Sequence, residues 1–233
     1  TRSFHVTGVQ TCALPISSLN MDILYGLPFQ TKERMADSVQ RVLSLSPDRV
    51  ALYGYAHVPW MAKRQVMIPA DELPNALQRL ELFDTARELF LWDGYEEIGI
   101  DHYARPDDSL AVSNRKQTMR RNFQGYTDDT SDVLIGMGAS AISRYPQGFA
   151  QNVSASSKYA TAIETGALAT ERGHTMSKDD QLRSDMIESL MCRFMIDCDE
   201  LGAKHGTSAA YVFDLTAAMR ERFHDQLSIT GNV

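Results

Sequence analysis

The sequence predicts an α/β fold with a helical tail, and three observations carry that prediction. Short apolar runs recur at Met21–Tyr25, Arg49–Tyr53 and Tyr95–Ile100, each close to glycine or proline, as buried strands do. Two longer stretches between them carry apolar residues at helical spacing. From about residue 170 onward the helical period replaces the strand pattern. Strand, helix, strand, helix, strand in that order implies right-handed crossovers and a parallel sheet. An open doubly wound sheet and part of a (β/α) barrel both satisfy the pattern. No Gly-x-Gly-x-x-Gly follows a strand, so a dinucleotide fold loses support.

Each element has its own justification. Met21–Tyr25 ends at Gly26 and Pro28; Asp22 lies inside it, and a buried carboxylate is costly without a partner. Thr31 is placed to cap a helix from Lys32 to Leu45, with Glu33 in its first turn and Met35, Val39 and Val42 on one face. Ser46-Pro47 stops it. Arg49–Tyr53 is the second strand, and a long loop with Pro59 and Pro69 follows. A second helix starts near Pro74, a good first-turn position. It buries Leu73, Leu77, Leu80, Phe83, Ala86 and Phe90 and ends at Gly94. Tyr95–Ile100 is the third strand. Residues 101–126 read as a polar loop with a short helix near Asp108–Lys116. Asp132–Ile135 reads as a short strand, and Ser154 as the cap of a helix reaching Thr165. Thr170–Gly173 reads as a linker. Ser177 then caps a helix with Leu182, Met186, Ile187, Leu190 and Phe194 on its apolar face. Another helix covers Ser208–Arg222, and a strand starts near Gln226.

Composition narrows the function. The chain has 233 residues, 43% of them apolar, enough for a real core, and a net charge of −7. That balance, without a basic run, argues against a nucleic-acid surface. No apolar stretch approaches the ~20 residues of a membrane span. Cys12, Cys192 and Cys198 make no disulfide framework, which favours a reducing, cytoplasmic setting. Thr1–Ile16 does not resemble the rest. It reads as the translation of a sequencing-library adapter fused to a truncated frame, so it is expected to be non-native and not to pack, and Cys12 is set aside. The domains are then 1–16, an adapter-derived segment; 17–169, the α/β portion; and 170–233, a truncated helical domain.

Several residues could carry chemistry. Asp22, just before a βα turn, is either a structural carboxylate or a ligand contact, because such turns build binding sites. Tyr53 either stacks on a ligand or is an ordinary aromatic at a strand end. His57 has no second ligand at metal spacing and reads as structural. His102 could shuttle protons and Arg105 could bind a carboxylate; an Asp–Arg loop brace is the competing reading. Arg120 and Arg121 either hold carboxylates bidentately or form a solvated surface. Cys192 and Cys198 match no cluster motif and read as plain thiols.

Five stretches occur in order: Met21-Asp-Ile-Leu-Tyr-Gly-Leu-Pro-Phe-Gln-Thr31, Tyr55-Ala-His-Val-Pro59, Asp101-His-Tyr-Ala-Arg-Pro-Asp-Asp108, Arg121-Asn-Phe-Gln-Gly-Tyr-Thr127 and Gly136-Met-Gly-Ala-Ser-Ala-Ile-Ser143. Together they resemble the oxygen-independent coproporphyrinogen III oxidases, which are radical S-adenosylmethionine (SAM) enzymes. The resemblance implies the later portion of a radical SAM partial (β/α) barrel, followed by a truncated, mainly helical C-terminal domain. It implies SAM contacts at Asp22, Ala56 and Ile142, with Phe123 and Gln124 near a bound SAM. Arg121, Arg105 and His102 become candidates for the substrate's propionates. It further implies decarboxylation of coproporphyrinogen III to protoporphyrinogen IX, a [4Fe–4S] cluster, an electron donor and a monomer. The cluster's Cys-x3-Cys-x2-Cys motif is not in this chain, so the fragment is expected to be inactive. A haem chaperone of the same class and a non-enzymatic tetrapyrrole-binding module are the alternatives.

Overall fold

The computed structural model describes residues 18–123 and 125–230. The expectations for Thr1–Ile16 and for Gln124 therefore lie outside the described residues. The chain forms two compact units, one ending at Thr118 and the other starting at Met119. That division differs from the boundary at 170 expected from sequence.

The first unit is built on a four-stranded sheet in the order β1-β2-β4-β3. Strand β1 (Asn20–Tyr25) pairs in parallel with β2 (Arg49–Gly54), and Asp22 stands opposite Ala51. The third run differs from expectation. It forms β3 (Glu96–Ile98), then turns at Gly99 (φ +60°) into β4 (His102–Ala104), a segment read from sequence as loop. Strand β4 inserts antiparallel between β2 and β3. The sheet is therefore mixed. The turn signal was Gly99 itself, because positive φ is cheap only for glycine.

Helix α1 (Lys32–Leu43) starts as expected at Thr31, whose hydroxyl accepts from the Arg34 N–H at 3.4 Å. Helix α2 (Ala76–Trp92) begins later than Pro74, because Asn75 and Gln78 form a reciprocal capping box. Its buried stripe also differs from the expected one. Leu82, Ala86 and Phe90 face the core, while Leu77 and Leu80 are exposed. Ile23, Val50, Leu52 and Tyr103 project from one face of the sheet into the core against Met35, Val39 and the α2 stripe. By the two-residue period of strands, Asp22, Leu24, Ala51, Tyr53 and His102 belong to the opposite face. Helix α3 (Ser109–Arg115), capped by Asp108, covers part of that second face. Arg49 reaches Asp108 at 2.7 Å, and Arg115 reaches Glu96 at 2.6 Å.

In the second unit, β5 (Arg120–Asn122) and β6 (Gly125–Thr127) form a hairpin. Strands β7 (Ile142–Tyr145), β8 (Gly148–Asn152) and β9 (Thr170–Thr175) form an antiparallel sheet. The supposed linker at 170–173 is thus strand β9. Residues 132–135 contribute only a bridge, Leu134 to Arg144. Helix α4 (Ser156–Glu164) is preceded by Ala155, with no side-chain cap, so Ser154 does not serve. Helix α5 (Lys178–Arg193) carries the expected cap at Ser177, with Asp180 completing a capping box. The helix expected over 208–222 is two, α7 (Ala209–Leu215) and α8 (Ala217–Arg222), preceded by α6 (Cys198–His205). Cys198 therefore opens a helix. Leu182, Met186, Leu201 and Val212 make the core of this helical part. No strand forms over residues 226–230.

Candidate cofactor site

In the first unit the candidate residues Asp22, Tyr53 and Ala56 lie in β1, in β2 and in the segment after β2. Strand β1 is not fully buried. Its residues alternate, and Asp22 is exposed, which corrects the expectation of a buried carboxylate. The Asp22 side chain makes no hydrogen bond or ion pair to another described residue, so its acceptors face the open side of the sheet. Tyr53, half-buried, shares that side. Its ring meets the His102 ring edge-on, with centroids 6.0 Å apart. His102 is buried, and its Nδ1 lies 2.6 Å from Asp101 Oδ1.

The turns after these strands are held by side chains that sequence reading did not single out. Gln30 Oε1 accepts from the Gly26 N–H at 2.7 Å. Gln65 brackets the exposed Ala56, donating to its carbonyl at 3.1 Å while accepting from the Val58 N–H at 2.6 Å. Arg79 of α2 donates to the Tyr55 carbonyl at 2.8 Å and lies over the Tyr25 ring. The one legible signal was a glycine at the end of each strand, Gly26 just after β1 and Gly54 closing β2.

Arg105 does not join this group. It follows β4, whose last residue pairs with Arg49 at the amino end of β2. Its guanidinium lies over the Tyr95 ring and 3.9 Å from Asp93. The competing reading, a loop brace, describes that arrangement, with Asp93 as its acid.

The second unit holds Phe123, Ile142 and Arg121. Phe123 sits at the hairpin turn and meets Phe149 edge-on at 5.2 Å. Both line a cavity of about 260 Å³ with Arg121, Arg144, Ile187 and Glu188. Arg120 is engaged, with Glu188 at 3.7 Å and Asp132 at 3.8 Å. Arg121 stacks on Tyr126 at 4.6 Å, and its buried Nη1 has no hydrogen-bond partner. Ile142 opens β7 beneath the glycine loop. A Cβ on Gly136 would lie 2.7 Å from the Ile142 carbonyl oxygen, and Gly136 N–H donates to Ser143 at 3.0 Å. Only glycine permits that approach.

Among the described residues no group of three or more His, Cys, Asp or Glu could hold a metal. Burial pushes the Cys192 thiol up to about 11, with Glu188 adding to it. Burial also raises Cys198. Neither is a ready thiolate, and the described residues do not fit an iron–sulfur cluster. No described helix is long and apolar enough to cross a membrane.

The first unit sets a parallel strand pair in a mixed sheet with helices packed on it, and comparison with solved structures gives the class, a radical SAM fold. The chain is similar to the structure titled "Coproporphyrinogen III oxidase (HemN) from Escherichia coli is a Radical SAM enzyme", at 36% identity and a TM-score of 0.82, over 92% of this chain and 50% of that one. It is 57% identical over 212 residues to the oxygen-independent coproporphyrinogen III oxidase of Paracoccus denitrificans, covering 91% of this chain and 47% of that protein. A Cereibacter sphaeroides protein of the same name is 49% identical over 217 residues, 93% of this chain and 48% of the relative. No family model matches the chain. Over most of its length the chain is similar to oxygen-independent coproporphyrinogen III oxidases, and it spans about half the length of the curated relatives it matches.

Proposed function

We propose that this chain supplies part of an enzyme that converts coproporphyrinogen III to protoporphyrinogen IX by SAM-dependent, oxygen-independent oxidative decarboxylation. The observation that carries this reading is the exposed Asp22 carboxylate, without a partner among the described residues, beside Tyr53 on the open face of a parallel strand pair. Asp22 would accept hydrogen bonds from SAM's hydroxyl or ammonium groups, Tyr53 would offer a ring face, and Ala56 would admit the ligand close to the backbone. SAM supplies the radical chemistry when bound. Phe123, Gln124 and Ile142 are proposed as further contacts. In the second unit Arg121, which lines a cavity with Phe123 and Arg144 and whose buried Nη1 lacks a hydrogen-bond partner, suits a substrate propionate. His102 stays a candidate for substrate contact on the Tyr53 side. Arg105 is left out, because it lies at the other end of the strands.

Cluster ligands would have to come from outside the described residues. The enzyme would draw electrons from a separate donor and act in the cytoplasm as a monomer; the isolated chain would be inactive.

The test is a full-length chimera, in which residues 18–230 replace the matching segment of the Paracoccus denitrificans relative. Reconstituted without oxygen and given SAM, a reductant and coproporphyrinogen III, it is expected to form protoporphyrinogen IX. Haem transfer to an acceptor without SAM turnover would overturn this reading in favour of a chaperone. Porphyrinogen binding indifferent to SAM would overturn it in favour of a binding module.

A further inference from the structure

We propose that Arg79 is the positioning residue that sets the cofactor pocket's height, by locking the turn after β1 to the turn after β2. This rests on the reading of Asp22 and Ala56 as SAM contacts. Arg79 lies in the second turn of α2, yet its guanidinium ends between the carboxyl ends of the two parallel strands. A Cβ on Gly26 would lie 2.6 Å from Arg79 Nη1, and a Cβ on Gly54 would lie 2.8 Å from Nη2. Both glycines thus leave room for the same planar group, and a side chain at either position would push the guanidinium aside. Nη1 donates to the Tyr55 carbonyl at 2.8 Å. The guanidinium also lies over the Tyr25 ring, 5.6 Å from its centroid.

No carboxylate among the described residues pairs with Arg79. Its contacts are a main-chain carbonyl, an aromatic ring and the two glycines. The Tyr55 N–H in turn donates to the Tyr25 carbonyl at 2.7 Å. Arg79 and this bond together extend the β1–β2 pairing one step beyond the strands. They fix Tyr55, and with it Ala56, relative to the turn that follows Asp22 and Leu24. The fork geometry matters, because a lysine ammonium cannot lie flat between two turns.

The test uses Arg79→Lys, Arg79→Met and Gly54→Ala in the chimera. Gly54→Ala displaces the guanidinium and the Tyr25 hydroxyl without touching Arg79, and its φ is not in the left-handed region. All three are expected to raise the KM for SAM about tenfold, the loss of one charge-assisted hydrogen bond, while kcat and the KM for coproporphyrinogen change little. In the isolated chain, Arg79→Met should speed amide exchange at Tyr55–Val58 and leave β2 protected. A lowered melting temperature with unchanged KM for SAM would make Arg79 merely structural and overturn the proposal. So would unchanged exchange at Tyr55–Val58. If Asp22→Asn also leaves SAM binding unchanged, the SAM reading itself fails. If Asp22→Asn weakens SAM and the Arg79 and Gly54 variants do not, only this inference fails.

Discussion

Asp22 and Ala51 stand side by side in the parallel register of β1 and β2, and Ala51 is in turn paired with His102 of β4. A single methyl group therefore lies between a carboxylate and an imidazole on one face of the sheet. Exposure falls along that row, from the exposed Asp22 to the buried Ala51 and His102.

Asp22→Asn in the full-length chimera should weaken SAM use. It keeps the shape but removes the charge and alters the donor–acceptor pattern. A lost charged hydrogen bond costs about 1.5–3 kcal/mol, roughly ten- to a hundred-fold in affinity. Asp22 is exposed, so the melting temperature of the variant should match the parent. Unchanged SAM affinity, measured by equilibrium dialysis, would remove Asp22 from the site.

Phe90→Ala should cripple the first unit's core. Phe90 is fully buried and stacks on Tyr103 with centroids 4.8 Å apart. Truncation removes that contact and leaves a cavity, at a cost of about 3–5 kcal/mol. Urea unfolding followed by Tyr and Trp fluorescence measures it. A loss under ~1 kcal/mol would mean the site collapses freely.

Asp185 should give the second unit an acid-sensitive brace. Burial disfavours its charge, but hydrogen bonds from Lys204 and His205, each at 2.7 Å, outweigh that and hold its carboxyl below the usual 3.8. A depressed folded pKa means the native state binds fewer protons. The contribution is then fully present above the unfolded value and is lost as pH falls through the lowered folded one. Asp185→Asn should lower stability at neutral pH by about 1.5 kcal/mol, the low end for charged hydrogen bonds, because Lys204 is largely exposed. The gap between parent and variant should close below about pH 4. Parallel stability curves down to pH 2 would contradict it.

Anaerobic iron–sulfur reconstitution of the 233-residue chain alone should give no SAM-cleaving cluster. A cubane needs convergent thiolates, and Cys192 and Cys198 have raised pKa values and sit on different helices. Cluster absorbance accompanied by SAM cleavage would refute the expectation.

Local signals made much of the first unit legible. Thr31 as a cap, the Met35–Val39 face and the two apolar parallel strands all follow from residue type and spacing. What sequence could not resolve were pairings decided at a distance. The His102–Ala104 strand is too short to show a period, and only its insertion beside β2 makes it a strand. Asp22 was read as buried because Ile23 and its neighbours are apolar, yet burial depends on which face a helix layer covers. For Arg105 sequence leaves a carboxylate binder and a loop brace both open, because the antiparallel direction of β4, which carries it away from the carboxyl ends of β1 and β2, leaves no trace in local composition. The guanidinium of Arg79 lay outside every motif. Its place follows from two glycines far from it in the chain.

Strand β1 is paired on one side alone among the described residues, and its alternation imposes a phase rule on any further strand. A newcomer must set its residue opposite Ile23 toward the helix layer and its residue opposite Asp22 toward the open face. Slipping by one position would put polar groups into the core and apolar ones beside the carboxylate. The outer edge of β1 therefore works as a template that accepts one register and rejects the next. A synthetic peptide added in trans would have to match that phase to dock.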